Sequence, residues 1–113
     1  MSYDVEGRTI AADANGYLSN PDDWNEAVAA AIAAAEDITL TAQHWDILNY
    51  LRSEFFDNHG NQPNMRTITK AMQTQWNDKA VDSKQLYTLF PKDPSKQGGK
   101  IAGLPESRRK GGY

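Results

Sequence analysis

The sequence predicts a mostly α-helical (α+β) fold, a small helical domain with an N-terminal β-hairpin, a helix-turn-helix-like core and a mobile C-terminal arm. Apolar residues recur at helical spacing through residues 21–90, and turn signals divide residues 1–18 into short strand-like pieces. After residue 91, glycine, proline and basic residues predominate. Since 113 residues suffice for one core, we expect a body over 1–91 and a flexible arm over 92–113, in which residues 95–100 could form one turn of helix.

The N-terminal segment 1–18 is predicted to be a hairpin. Apolar and polar residues alternate on both sides of Glu6-Gly7, where glycine supplies the positive φ of a tight turn. Asn15-Gly16 marks a second turn.

A first helix is predicted over residues 21–35. Asn20 is suited to cap it, and Pro21 fits the first helical position. Trp24, Val28 and Ile32 are spaced by four, which gives the helix one apolar stripe.

Three further helices are predicted over residues 42–59, 64–76 and 83–90. Thr41 and Ser83 are candidate N-caps, Gly60 is expected in the left-handed position after the second helix, and Pro91 ends the last one. Their apolar stripes contain Trp45, Leu48, Leu51, Phe55, Phe56, Met65, Ile68, Met72, Trp76, Leu86 and Phe90.

Charge is unevenly distributed along the chain, whose net charge is −3. Residues 1–91 carry six basic and 13 acidic residues, a net charge of −7, whereas residues 92–113 carry six basic and two acidic residues, a net charge of +4. The basic tail is either a solvated terminus or an arm that meets an acidic partner.

Composition argues against several classes of site. With no cysteine, the chain forms no disulfide and offers no thiolate. His44 and His59 are 15 residues apart without a thiolate partner, so we expect no metal site. The sequence has no nucleotide-binding motif and no catalytic nucleophile motif, so we expect no cofactor. We therefore expect no enzyme activity of its own. The sequence contains no membrane span or signal peptide, so we expect a cytoplasmic protein, and its size favours a monomer.

A DNA-binding role is one alternative. The second and third helices could form a helix-turn-helix whose outer face offers Arg66, Lys70 and Gln73 to phosphates and base edges. The acidic body works against it, because phosphate neutralisation supplies most of such affinity. A plain solvated helix face is the simpler interpretation.

A series of motifs then follows in order along almost the whole chain. They are GYL (16–18), DW (23–24), ITLT..HW (38–45), LR (51–52), P..R..TKAM (63–72), LY.LFP (86–91) and Q..KIAGLP (97–105). The series resembles the DsrC/TusE family of sulfur carriers, also called the gamma subunit of dissimilatory sulfite reductase. The resemblance implies a helical fold whose C-terminal arm carries a penultimate cysteine that accepts persulfide sulfur and enters the sulfite reductase active site. DsrC proper has another cysteine just before KIAGLP, whereas TusE-like members keep only the terminal one and relay sulfur toward tRNA thiolation.

Both family cysteine positions hold glycine in this sequence, namely Gly99 and Gly112. Because a persulfide requires a thiolate sulfur, the chain cannot carry one. The resemblance still implies an arm that docks on a partner. Its expected contact residues are Lys100, Ile101, Ala102, Gly103, Leu104, Pro105, Arg108, Arg109 and Lys110.

The favoured hypothesis is a non-catalytic regulatory or competitive protein of sulfur metabolism, which binds sulfite reductase or sulfur-relay and sulfurtransferase partners. The alternatives are the DNA-binding regulator and a TusE-like relay subunit whose thiols come from its partners.

Overall fold

The computed structural model describes residues 1–106. A two-stranded antiparallel sheet is followed by a 3-10 turn and five helices, which confirms the predicted fold class. The elements are β1 (Ser2–Val5), β2 (Arg8–Ala11), the 3-10 turn (Pro21–Asp23), α1 (Glu26–Ala35), α2 (Ala42–Asp57), α3 (Met65–Gln75), α4 (Ser83–Leu89) and α5 (Lys96–Ile101). Within residues 1–106, no helix combines the length and the apolar character needed to cross a membrane.

The N-terminal hairpin forms as predicted. Glu6 and Gly7 both have positive φ, 51° and 79°, which is the backbone of a type I′ turn. Tyr3 pairs with Ile10 across the strands. Tyr3, Val5 and Ile10 are buried on one face, and that face packs on α1.

The first predicted helix is divided in two. Asn20 caps only the 3-10 turn, and Trp24 then adopts an extended backbone with ψ of 138°. Asn25 starts α1 by accepting a hydrogen bond from the amide of Val28. The break turns Trp24 away from the stripe that buries Val28 and Ile32, and it frees the indole for a different contact described below.

The starts of α2 and α4 are fixed by capping side chains. Thr41 and His44 form a capping box on α2, in which the Thr41 amide donates to His44 Nδ1 at 3.0 Å. His44 Nε2 lies 2.8 Å from the carbonyl oxygen of Leu89, so the ring links α2 to α4. The cap of α4 is Asp82, which accepts from the Gln85 amide, and the prediction of Ser83 as the cap was wrong.

The helix-turn-helix interpretation of α2 and α3 remains a prediction. The two helices contact each other, but residues 58–64 separate them. DNA-binding helix-turn-helix motifs use a turn of about three to four residues.

The C-terminal segment, defined as residues 92–106, differs from the arm expected there. It contains α5, which contacts both α1 and α2. Ile101, Ala102 and Leu104 belong to the hydrophobic core with at most 2% of their surface exposed. The body therefore extends to Glu106 instead of ending at residue 91, and residues 107–113 lie outside the described range.

Candidate functional site

The KIAGLP stretch forms the end of α5 and the turn that follows. The amide of Leu104 donates to the carbonyl of Gly99 at 2.9 Å, and the amide of Gly103 donates to the carbonyl of Lys100 at 3.1 Å. These two bonds make a Schellman motif, which requires the positive φ of 77° found at Gly103. Leu104 then turns back into the core. The glycine at position 103 and the Schellman hydrogen bonds therefore end α5 at this point.

Three side chains of the body hold the carbonyl groups of this stretch. The indole Nε1 of Trp24 donates to the carbonyl of Ile101 at 2.9 Å. Arg52 Nη1 donates to the carbonyl of Ala102 at 2.7 Å, and Gln62 Nε2 donates to the carbonyl of Pro105 at 2.8 Å. We call these three residues the carbonyl clamp. Trp24 and Arg52 satisfy acceptors that the end of α5 leaves without an intrahelical partner, and Gln62 holds the turn that follows.

Arg52 is the centre of the carbonyl clamp. Its guanidinium carbon lies 3.8 Å from the ring centroid of Trp24 and 4.8 Å from that of Phe56. Burial lowers the pKa of Arg52 from its usual range, yet an arginine remains charged at any physiological pH. The two rings fix the plane of the guanidinium, so that one N–H faces the Ala102 carbonyl.

A second anchor is electrostatic and involves Glu36 at the end of α1. Lys100 Nζ lies 3.4 Å from Glu36 Oε1, Lys92 Nζ lies 3.7 Å from Oε2, and Gln97 Nε2 donates to Oε1 at 3.2 Å. Burial alone would raise the pKa of Glu36, but the Gln97 hydrogen bond and the two lysine charges lower it below its ordinary value. A carboxylate at a helix C-terminus is unfavourable, so these groups of the C-terminal segment compensate for it.

Tyr17 lies beside this anchor. Lys100 Nζ is 5.3 Å from its ring centroid, and its hydroxyl donates to the carbonyl of Lys96 at 3.5 Å. Burial, followed by the nearby charge of Glu106, raises the pKa of Tyr17 to about 12. The hydroxyl therefore stays protonated and available as a donor at neutral pH.

Gly99, where the resemblance to DsrC proper implies a cysteine, lies in α5 and is buried. A Cβ built on Gly99 would meet no heavy atom within 4 Å, whereas one on neighbouring Gly98 would lie 3.0 Å from Leu51 Cδ1. The space for a side chain therefore exists at position 99 even though the chain supplies none. Gly112 is outside the described residues.

The predicted docking residues divide into two groups. The structure brings Lys100, Ile101, Ala102, Gly103, Leu104 and Pro105 together against the body. Arg108, Arg109 and Lys110 are outside the described part of the chain.

The sequence interpretation missed the carbonyl clamp. Trp24 was assigned to the core, and neither Arg52 nor Gln62 was singled out. One signal was available, because Arg52 interrupts the apolar spacing of α2 between Leu48 and Phe56. A charged residue in line with a core stripe indicates a partner group that it must satisfy.

The residues predicted to bind nucleic acid also lie together. Arg66 and Lys70 are exposed on α3, and Gln73 is half-buried one turn further along. The Gln73 amide donates to the carbonyl of Val81 at 2.8 Å. This bond occupies the group that would read an adenine, so the geometry adds no support for base recognition.

Comparison with known proteins identifies the family. The model of the family described as DsrC like protein matches residues 4–109. The chain belongs to the DsrC-like family. It is 45% identical over 101 residues to "Sulfurtransferase TusE" of Photorhabdus laumondii, covering 89% of this chain and 90% of that protein. The Yersinia pestis protein of the same name is 45% identical over 103 residues, covering 91% and 94%.

Solved DsrC structures share the fold. Allochromatium vinosum DsrC, determined by NMR, superimposes on the DsrC-like chain with a TM-score of 0.84 at 39% identity, covering 96% of this chain and 98% of that one. The oxidized gamma-subunit of the dissimilatory sulfite reductase from Archaeoglobus fulgidus gives a TM-score of 0.87 at 31% identity with the same coverage.

These names correct one expectation. We expected the chain not to be an enzyme, but its relatives over about nine-tenths of its length are named sulfurtransferases, which contradicts that expectation. The expectation drew on the absence of cysteine and of familiar catalytic motifs. A sulfur-transfer role is therefore the starting point for assigning a function to the DsrC-like chain.

Proposed function

We propose that the DsrC-like chain is a docking subunit of a sulfur-transfer system, in which the thiols that carry sulfur belong to its partners. The single observation that carries the proposal is the clamped KIAGLP turn. Trp24, Arg52 and Gln62 give the C-terminal segment one fixed course across the body. The family names of its relatives supply the kind of system.

The chemistry of sulfur transfer limits what the chain contributes. A donor persulfide passes its outer sulfur to an acceptor thiolate, and the donor leaves as a thiolate. Since the chain contains no cysteine, the donor and the acceptor sulfurs both belong to other proteins. Its part is to bind and orient them, and the partners proposed are sulfite reductase and sulfur-relay or sulfurtransferase proteins.

The basic tail supports a docking role. Arg108, Arg109 and Lys110 follow directly after the clamped turn in the sequence and contrast with the acidic body. Opposite charges on two proteins increase their association rate and favour one orientation. We propose that these three residues meet an acidic surface of the partner next to Glu106, the last described residue of the body.

A regulatory or competitive role is the second candidate, and the glycine at position 99, where the resemblance to DsrC proper implies a cysteine, favours it. The fold keeps space for a side chain at that position, so a partner site shaped for a thiol-bearing relative would also accept this chain. Occupancy by a chain without a thiol would lower sulfur transfer through that site.

One set of measurements tests both candidates. Purified sulfite reductase and a purified sulfurtransferase are each titrated with the full chain by biolayer interferometry. The same partners then transfer ³⁵S from a labelled persulfide donor, with a cysteine-bearing relative present as acceptor. Saturable binding with faster transfer between partner thiols supports the relay subunit, and saturable binding with slower transfer supports competition.

Matched variants locate the contact. Arg108→Glu with Arg109→Glu should weaken binding at least tenfold, while Lys79→Glu with Lys84→Glu makes the same charge change on the exposed surface of the body and should have little effect. Absence of binding to both partners, or ³⁵S label retained on this chain, would refute the proposal.

A further inference from the structure

One groove of the molecule shares no lining residue with the clamped turn. It has a volume of about 670 Å³ and lies between α3 and the start of α4. Its lining residues are Asn64, Met65, Arg66, Thr69, Lys70, Gln73, Val81, Asp82 and Ser83. Met65 is half-buried and gives the groove exposed apolar surface, whereas Val81 lines the groove with only 2% of its surface exposed.

Most polar groups of the groove are already paired within the chain. Thr69 Oγ1 donates to the carbonyl of Met65 at 2.8 Å, and Gln73 Nε2 donates to the carbonyl of Val81 at 2.8 Å. Asn64 and Asp82 each accept a backbone amide as helix caps. These residues therefore offer a ligand little beyond their remaining lone pairs.

The two cations of the groove are different. Arg66 and Lys70 are exposed, and no ion pair found among residues 1–106 includes either of them. They are four residues apart on α3, where like charges destabilise a helix, and Arg66 is in the first turn, where a positive charge is unfavourable. Their position is therefore a cost to the isolated fold that an external anion would remove.

We infer that this groove binds an acidic peptide segment of a partner protein, with an apolar side chain against Met65 and Val81 and a carboxylate between Arg66 and Lys70. A ligand that fits this groove needs an apolar side chain for the apolar surface and a carboxylate for the two cations. The chain's own tail, SRRKGGY, is basic and does not complement the groove. A nucleic acid backbone would bring phosphates without an apolar side chain to pack against Met65 and Val81. The inference does not depend on docking by the C-terminal segment.

The test starts from a phage-displayed library of random 12-residue peptides selected on the full-length chain. Enriched peptides are synthesised with a fluorescent label, and their contacts are mapped by amide chemical shifts of the ¹⁵N-labelled chain. We expect peptides that combine glutamate or aspartate with leucine or an aromatic residue, and shifts concentrated in residues 64–73 and 81–83. Replacing the acidic residues by their amides should weaken binding at least tenfold.

The matched variants are both exposed double charge reversals. Arg66→Glu with Lys70→Glu should lose at least tenfold in affinity, and Lys79→Glu with Lys84→Glu should lose less than threefold. The groove variant places a carboxylate in the first turn of α3, which favours the helix, so its unfolding midpoint should not fall. Failure to enrich acidic peptides, or shifts confined to other residues, would overturn the inference. So would a 20-base-pair DNA duplex that displaces the peptide and shifts the same amides.

Discussion

Replacing Gly103 by alanine should destabilise the DsrC-like chain far more than the same change at Gly99. A Cβ at position 103 would clash with Trp24 Cδ1, and the backbone there has a φ of 77°. The left-handed conformation alone costs alanine about 1–2 kcal/mol. Moving Trp24 aside also breaks its hydrogen bond to the Ile101 carbonyl, which contributes about 0.5–1.5 kcal/mol.

The sum predicts a loss of roughly 2–4 kcal/mol in the free energy of unfolding, including some lost packing of the indole. Gly99→Ala is the matched control. It lies inside α5, where a Cβ meets no atom within 4 Å, so alanine should add about 0.5–1 kcal/mol through its helix propensity. The two variants make the same chemical change four residues apart and should move stability in opposite directions.

The assay is equilibrium urea unfolding of the full chain followed by tryptophan fluorescence, with far-ultraviolet circular dichroism as a second probe. A Gly103→Ala variant that loses less than about 1 kcal/mol would refute the reasoning, because the φ term alone should reach that value. A Gly99→Ala variant that is destabilised would refute the open space assigned to position 99.

Three further predictions concern the C-terminal segment. Arg52→Ala should lower the free energy of unfolding by about 1.5–3 kcal/mol, because it removes a charged hydrogen bond. Hydrogen exchange at the amides of Gly103 and Leu104 should accelerate. Arg52→Lys should recover only part of the lost stability, because lysine lacks the planar guanidinium. The pKa of folded Glu36 lies below its ordinary value of 4.5, so the ionised carboxylate adds stability above pH 4.5, and this stability is lost as the pH falls through the folded pKa. Glu36→Gln should therefore reduce the dependence of the unfolding free energy on pH in the acid range. An unchanged dependence would contradict the electrostatic anchor. Gly98→Cys should be less stable than Gly99→Cys by about 1–3 kcal/mol, because only position 98 is overpacked against Leu51, and equal urea midpoints would exclude this difference.

Local signals predicted most of the fold. The Glu6-Gly7 turn and the ends of α3 depend on residues within a few positions of one another, so propensity and capping rules apply to them directly. The apolar stripes of α1 and α2 likewise predicted Val28, Ile32, Leu48 and Leu51 in the core, where the structure has them.

The candidate site escaped prediction because its contacts are distant in sequence. Trp24 leaves the helix to reach a carbonyl 77 residues later, and no neighbour of Trp24 signals that partner. Gly98 and Gly99 have low helix propensity and suggested a flexible arm, but close packing against Leu51 is what makes a small residue suitable at position 98. At Trp24 and Gly98, tertiary contacts thus outweighed the local helix propensity from which the sequence prediction was made.

The burial of α5 has a consequence for folding of the chain during its synthesis on the ribosome. Ile101 and Leu104 complete a core whose other side is built by the hairpin and α1, and Asn15 is joined to Glu106 across 91 residues. The hairpin and α1 are synthesised first but can bury their apolar surface fully only when α5 is available. At about 5–20 residues per second, a nascent chain therefore spends several seconds with that surface exposed. This core is complete only once α5 has emerged from the ribosome, so a chaperone that covers the exposed apolar surface would act before Leu104 emerges.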